Sequence, residues 1–530
     1  MSNDNSGQPD SHGSLIKSTS IISVGTLASR VLGFVRDVIL ARFFGTGFQA
    51  DAFFVAFKIP NLFRDFVGEG AANAAVVPVF SEYLIQKNRE EFWHFVSVIL
   101  ALALISLTSL TLLGILLAPH IVRLLAPGFM AHPEKLALTI HLTKIMFPYL
   151  ILIGLTAYSM AVLYAFRSFA VPAFSPCLLN IAIIISALLS SRFLTEPVYG
   201  LAAGVLIGGL LQLVMQIRPM LKTGIKIYKP LPLNHPAAIR VGHLLLPRVI
   251  GAGVYQLNIF IDTFCASLST IVGAGGISAI YYSNRIIQFP MGIFGFALAS
   301  AMLPTLSSLA TQNNLAQLKK TLVFILENIF FVMVPFSVVL MLLANPIIRI
   351  LFQRGEFNQY STTITSWALL FYAIGLFSFG GIKILVTAFY ALQDTKTPVK
   401  IAAVCLVINA ALNIVLMIPL KVGGIALASS VSASIDFIWL FYCLNKRLGG
   451  LNGGFRIFIV KVLAAGVVAG GAVIRIWNTA CIPNEMIRLS LAIVLGFMFY
   501  GVLCFILRIE QARNIYRWLQ NFGMKSRMKT

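Results

Sequence analysis

The chain has 530 residues, of which 58% are hydrophobic and 11% charged, against about 25% charged residues in ordinary soluble domains. With a mean hydropathy of +0.89 there is too little polar surface to cover one large core, so a soluble globule is excluded and an all-α polytopic membrane protein is predicted. A formal net charge of +22 raises a nucleic-acid role, but no binding motif accompanies it and its distribution among loops argues against one.

Residues 1–14, MSNDNSGQPDSHGS, lack the basic-then-apolar layout of a cleaved signal and read as a disordered cytoplasmic tail. Beyond them, at roughly 20 apolar residues per crossing, about fourteen transmembrane helices are predicted. They lie near 15–40, 51–80, 94–125, 137–165, 172–191, 198–219, 240–270, 278–309, 321–345, 362–391, 398–419, 424–444, 456–477 and 486–507. The second is broken by Pro60, Gly68 and Gly70, the eighth by Pro290 and Gly292. One set of loops holds Lys87, Arg89, Arg167, Lys222, Lys226, Lys229, Lys319, Lys320, Lys396, Lys400, Lys446 and Arg447, and a basic tail over 509–530 joins it. The alternate loops carry fewer bases, mainly Arg42, Arg123, Lys135, Arg192, Arg354 and Lys421. Excess Lys/Arg marks the cytoplasmic side, so both termini are expected there.

Short patterns recur at one offset. VVPVFS at Pro78 resembles MLPTLS at Pro304, and LYAFRSFAVP (Leu163 to Pro172) resembles FYALQDTKTP (Phe389 to Pro398), both 226 residues apart. This predicts two six-helix lobes in parallel pseudo-repeat, 15–225 and 236–450, as in several secondary transporters. The pair over 451–508 lies outside the repeat.

Ionisable residues stand deep in several spans. The first holds Arg30, Arg36 and Asp37; the second Asp51, Lys58, Arg64, Asp65 and Glu69; the seventh Arg248 and Asp262; the eighth Arg285; the tenth Lys383. Asp51, Lys58 and Asp65 are seven residues apart and share a helical stripe. A charge at the bilayer centre costs about 2.5–3.5 kcal/mol even on the gentlest scale, so these groups either neutralise one another or line a hydrated cavity. With Arg285 far in sequence from any acid, the cavity is expected to be net positive and to suit an anion. Arginine favours bidentate contact with phosphate. Asn409 and Asn413 are i, i+4 on the eleventh span and either bind a cation with Asp262 or hydrogen-bond helices together, the commoner role. Asp436 is isolated. GVLIG (Gly204 to Gly208) and GVVAG (Gly466 to Gly470) read as close-packing motifs.

The six cysteines are scattered without a CxxC, and no histidine stands in HExxH spacing. The 18 acids include one adjacent pair, Glu90-Glu91, beside Arg89. A membrane enzyme on a polyprenyl substrate usually needs a metal-holding acid pair or a nucleophile, so that alternative is disfavoured.

SRVLGFVRD, DAFFVAFKIPNLFRDFVGEGA, QFPMGIFGFALA, LFQRGEF and FYALQDTKTPVK resemble, in order and spacing, hallmark segments of the MurJ (MviN) family of lipid II flippases. That family lies within the multidrug/oligosaccharidyl-lipid/polysaccharide exporter superfamily. The resemblance implies alternating access about a cavity for the undecaprenyl-pyrophosphate head group, and not an enzyme. It implies a lipid-tail groove formed by the last two helices. Cavity residues match at Arg30, Arg36, Asp51, Arg64 and Arg285, with Glu69 a further match. A sodium site is implied near Asp262, Asn409 and Asn413, and coupling to membrane potential or a monovalent cation in place of any bound cofactor. Asn284 and Gln288 stand where relatives often carry acids, which makes this cavity more positive; Asn413 stands where a sodium-binding relative carries a second aspartate. The partners expected are lipid II, membrane lipids and cell-wall synthesis machinery, with no nucleic acid. The alternative reading is an exporter of the same fold for another polyprenyl-linked oligosaccharide.

Overall fold

A computed structural model of the protein describes residues 11–64, 71–230, 235–451, 454–479 and 482–517. Every regular element among them is helical. In chain order the first set is α1 (Ser11–Phe44), α2 (Phe48–Arg64), α3 (Ala71–Gln86), α4 (Arg89–Leu125), α5 (Pro133–Met146), α6 (Tyr149–Ala165), α7 (Ala170–Phe193), α8 (Val198–Lys222) and α9 (Pro236–Ser267). The second is α10 (Ser269–Val272), α11 (Gly276–Pro290), α12 (Phe296–Thr311), α13 (Leu315–Leu342), α14 (Ala344–Phe352), α15 (Gln359–Ile374), α16 (Leu376–Ala391), α17 (Lys396–Leu420), α18 (Val422–Arg447), α19 (Gly454–Asn478) and α20 (Glu485–Ile506).

Nine described helices are long and apolar enough to cross a membrane, or ten if the pair α15–α16, bent by 45°, is one span. The remaining predicted spans fall on α1, on α2 with α3, on α9, and on α11 with α12. Those are the segments that carry Arg36, Asp51, Asp262 and Arg285. The multi-pass helical class is therefore established, while the count of fourteen goes beyond the helices that pass on apolarity. A π-helical turn, Met291–Gly295, joins α11 to α12 at the break expected from Pro290 and Gly292. In the second span Pro60 lies inside α2; Gly68 and Gly70 lie outside the described residues.

The chain divides into two compact units, Met1–Gln256 and Leu257–Thr530. Their internal anatomy repeats at the offset seen in the sequence. Asn88 caps α4 by accepting from the Glu91 amide, and Asn314, 226 residues on, caps α13 by accepting from the Gln317 amide. The turn after α6 puts Arg167 at φ 57°, and the turn after α16 puts Gln393 at φ 57°. In each turn the next residue's amide reaches back five positions, Ser168 to Leu163 at 2.8 Å and Asp394 to Phe389 at 2.9 Å.

One end of unit 1 is held by an aromatic cluster. Phe80 meets Phe92, Phe95 and Tyr158 edge-on. The buried Tyr158 hydroxyl donates to the Val96 carbonyl at 3.1 Å. The glycine motifs act as close-packing seams. A Cβ on Gly204 or Gly208 of α8 would lie within 3 Å of Ser186 or Leu179 on α7, and one on Gly470 of α19 within 3 Å of Leu342 on α13.

Candidate functional site

In unit 1, α1 lies so close to α7 that a Cβ on Gly25 would stand 2.6 Å from the Ala173 carbonyl oxygen. That approach brings Arg36 to Asn180. Arg36 donates from Nε (3.0 Å) and Nη2 (2.8 Å) to Asp37 Oδ1, and from Nη1 (3.0 Å) to Asn180 Oδ1. Asn180 in turn donates to the Ser29 carbonyl at 3.1 Å. Arg36 and Asp37 are 8% and 0% exposed. A guanidinium buried to that degree is tolerable because a carboxylate and an amide oxygen meet its fork.

Asp51, in the first turn of α2, accepts from Lys135 Nζ of α5 at 2.7 Å, with both side chains buried. Lys135 also sits 4.2 Å from the centre of the Phe129 ring. The sequence reading had Lys135 as a loop base; it is a buried partner on α5, because helix begins at Pro133 and carries it inward. Asp51 thus belongs to a pair inside unit 1. Lys58 is half-buried on α2, whereas Arg30 is exposed on α1. Arg64 ends α2 and Arg248 lies in α9, but their side chains, like Asp65 and Glu69 altogether, fall outside the described residues.

In unit 2 the three residues expected at a cation site come together. Asp262 of α9 accepts from Asn413 Nδ2 at 2.9 Å on one oxygen and from Ser429 Oγ at 3.0 Å on the other. Asn413 Nδ2 also reaches Asn409 Oδ1 at 3.0 Å. All four side chains are buried. Asn413 Oδ1 is buried and accepts no hydrogen bond among the described residues. A carboxylate, amide oxygens and a hydroxyl form a hard-oxygen set suited to a small cation. The repeat offset sets Asp262 at the position of Arg36, 226 residues earlier. Unit 2 has an acid where unit 1 has a built-in cation.

Arg285 is half-buried on α11, with Asn284 and Gln288 beside it on the same helix. Lys383 is half-buried on α16. Asp436 of α18 buries an oxygen, Oδ1, that meets no donor among the described residues. Sequence reasoning missed Lys135, Asn180 and Ser429. Asn180 and Ser429 are unremarkable polar residues in apolar helices and Lys135 reads as a loop base, so only the fold reveals their partners.

The family model "Lipid II flippase MurJ" matches residues 40–497. The chain belongs to the lipid II flippase MurJ family. A probable lipid II flippase MurJ of Buchnera aphidicola (strain APS) is 36% identical over 482 residues, 90% of this chain and 94% of that protein. One from Vibrio cholerae is 34% identical over 515 residues, covering 94% and 97%. Among solved structures, a lipid II flippase MurJ in an inward closed conformation superposes with a TM-score of 0.79 at 27% identity, covering 92% of this chain and 99% of that one. A multidrug-resistance MATE transporter shares the fold at 14% identity, with a TM-score of 0.64. MurJ membership makes this chain a transporter and not an enzyme.

Proposed function

We propose that the chain moves lipid II, the undecaprenyl-pyrophosphate-linked peptidoglycan precursor, from the cytoplasmic to the periplasmic leaflet of the inner membrane. Two lobes, 15–225 and 236–450, alternate access to a central cationic cavity, both termini face the cytoplasm, and fourteen helices cross the bilayer. The helix pair over 451–508 supplies a groove for the lipid tail. MurJ membership over residues 40–497 is the observation that carries this reading.

The cavity residues in this reading are Arg30, Arg36, Asp37, Asp51, Lys58, Arg64, Glu69 and Arg285. Pyrophosphate would meet guanidinium forks, and Asp37 with Asn180 would keep the Arg36 fork oriented while the cavity is unloaded. Asp262, Asn409 and Asn413, with Ser429, would hold a monovalent coupling cation; the buried Asn413 Oδ1 favours this over a purely structural cluster. Membrane lipids and cell-wall synthesis machinery are its expected partners.

The test is leaflet exposure of lipid II in cells depleted of the protein, read with an enzyme confined outside the inner membrane that cuts only outward-facing lipid II. Exposure is expected to collapse on depletion and to return with the wild-type copy. Exposure unchanged by depletion contradicts lipid II as the cargo and favours another polyprenyl-linked oligosaccharide.

A further inference from the structure

In unit 2 the helices α14, α19 and α20 bring another basic cluster together. Arg349, in the last turn of α14, donates from Nη2 to Glu485 Oε1 at 2.8 Å. Glu485 is the first residue of α20, and Arg488, one turn on, places Nη2 at 3.8 Å from the same oxygen. The Arg488 guanidinium lies 4.4 Å from the centre of the Trp477 ring, near the end of α19. Two guanidiniums therefore share one carboxylate, leaving a net positive charge. The Nε–H groups of both arginines are buried and donate to no acceptor among the described residues.

Arginine forks match phosphate oxygens bidentately. Tryptophan collects at the head-group level of a bilayer, where lipid phosphates lie. Arg488, Glu485 and Arg349 are 19%, 43% and 37% exposed at the side chain, so a ligand can reach them. We propose that Arg349 and Arg488 form a binding site for the phosphate of an anionic membrane lipid, with Glu485 setting its charge. The lipid phosphate takes the Nη donors that Glu485 does not use, while Trp477 holds the Arg488 plane. The carboxylate keeps the two guanidiniums together when no lipid is bound.

A cluster that only fastened α14 to α20 would depend on Glu485 as much as on either arginine. A phosphate site would not, because removing the carboxylate leaves both forks to the lipid. The experiment uses the purified full chain and native mass spectrometry to measure retention of phosphatidylglycerol, with phosphatidylcholine as the neutral control. Losing one charge-assisted contact in Arg349→Gln or Arg488→Gln is expected to lower phosphatidylglycerol retention about tenfold. Glu485→Gln should keep or raise it, with phosphatidylcholine unchanged. A parallel arm offers a polyprenyl pyrophosphate as competitor. Displacement of phosphatidylglycerol makes the carrier lipid a source of the phosphate, and no displacement leaves the bilayer phospholipid as the source. Equal retention in every variant, or a loss in Glu485→Gln matching that in Arg488→Gln, overturns the proposal. If Arg488→Gln does not stay monodisperse, Arg349→Gln on α14 carries the result. Leaflet exposure of lipid II is measured separately, so this site and the transport reading can fail independently.

Discussion

At the scale of single residues, unit 1 solves the cost of buried charge by pairing. Breaking a buried ion pair from one side costs about 3–5 kcal/mol, because the remaining charge stays in low dielectric. Lys135→Met alone should therefore lower the melting temperature sharply, while Asp51→Asn with Lys135→Met recovers most of the loss; a double-mutant cycle in detergent checks this. Asp394 offers a test outside the membrane spans. Its carboxyl is held below the ordinary value of 3.8, first by the Thr397 backbone amide; burial, the next-largest effect, opposes this, and the Thr397 hydroxyl, Arg447 and the Lys396 amide add to the lowering. The folded value is depressed, so the stabilisation is present above the unfolded value and is lost as pH falls through the folded one. Melting curves between neutral pH and pH 3 should show a drop in wild type that Asp394→Asn lacks. Little of this pairing was legible in the sequence. Asp51 and Lys135 are 84 residues apart, Arg36 and Asn180 144, and Asp262 and Ser429 167. Proximity along a helix says nothing about partners on another.

At the scale of elements, the sequence was far more informative. Apolar length located nine or ten of the spans among the described residues, and the offset of 226 reappears in the caps Asn88 and Asn314 and in the left-handed turns at Arg167 and Gln393. Such local chemistry repeats because a cap or an αL turn depends on a few adjacent residues. The break after Pro290 was legible for the same reason. The start of α5 at Pro133 was misplaced by four residues, and that shift alone turned Lys135 from a buried partner into an apparent loop base. The seam of α1 against α7 supplies the element-scale prediction. Gly25→Ala would press a Cβ into the Ala173 carbonyl, and overpacking of this kind costs about 1–3 kcal/mol. Thermal unfolding should show that loss, together with weaker transport, since the Arg36–Asn180 contact lies on the same helix pair. Gly471, which has open space around its Cβ position, serves as the control: Gly471→Ala should leave both unchanged.

At the scale of the whole molecule, the two units share one plan and differ in charge. Where unit 1 buries Arg36, unit 2 buries Asp262 at the equivalent position. In the proposed cycle this asymmetry divides labour, with anionic cargo drawn to arginine and a cation drawn to the acid. The central claim is that basic residues carry the cargo. The most direct measurement restores Arg36→Ala and Arg285→Ala copies separately to depleted cells, at matched membrane abundance, and reads outward exposure of lipid II. The account predicts that wild type restores exposure and neither variant does, Arg285→Ala while still folding normally. Full exposure with well-expressed Arg285→Ala and Arg36→Ala proteins would contradict it.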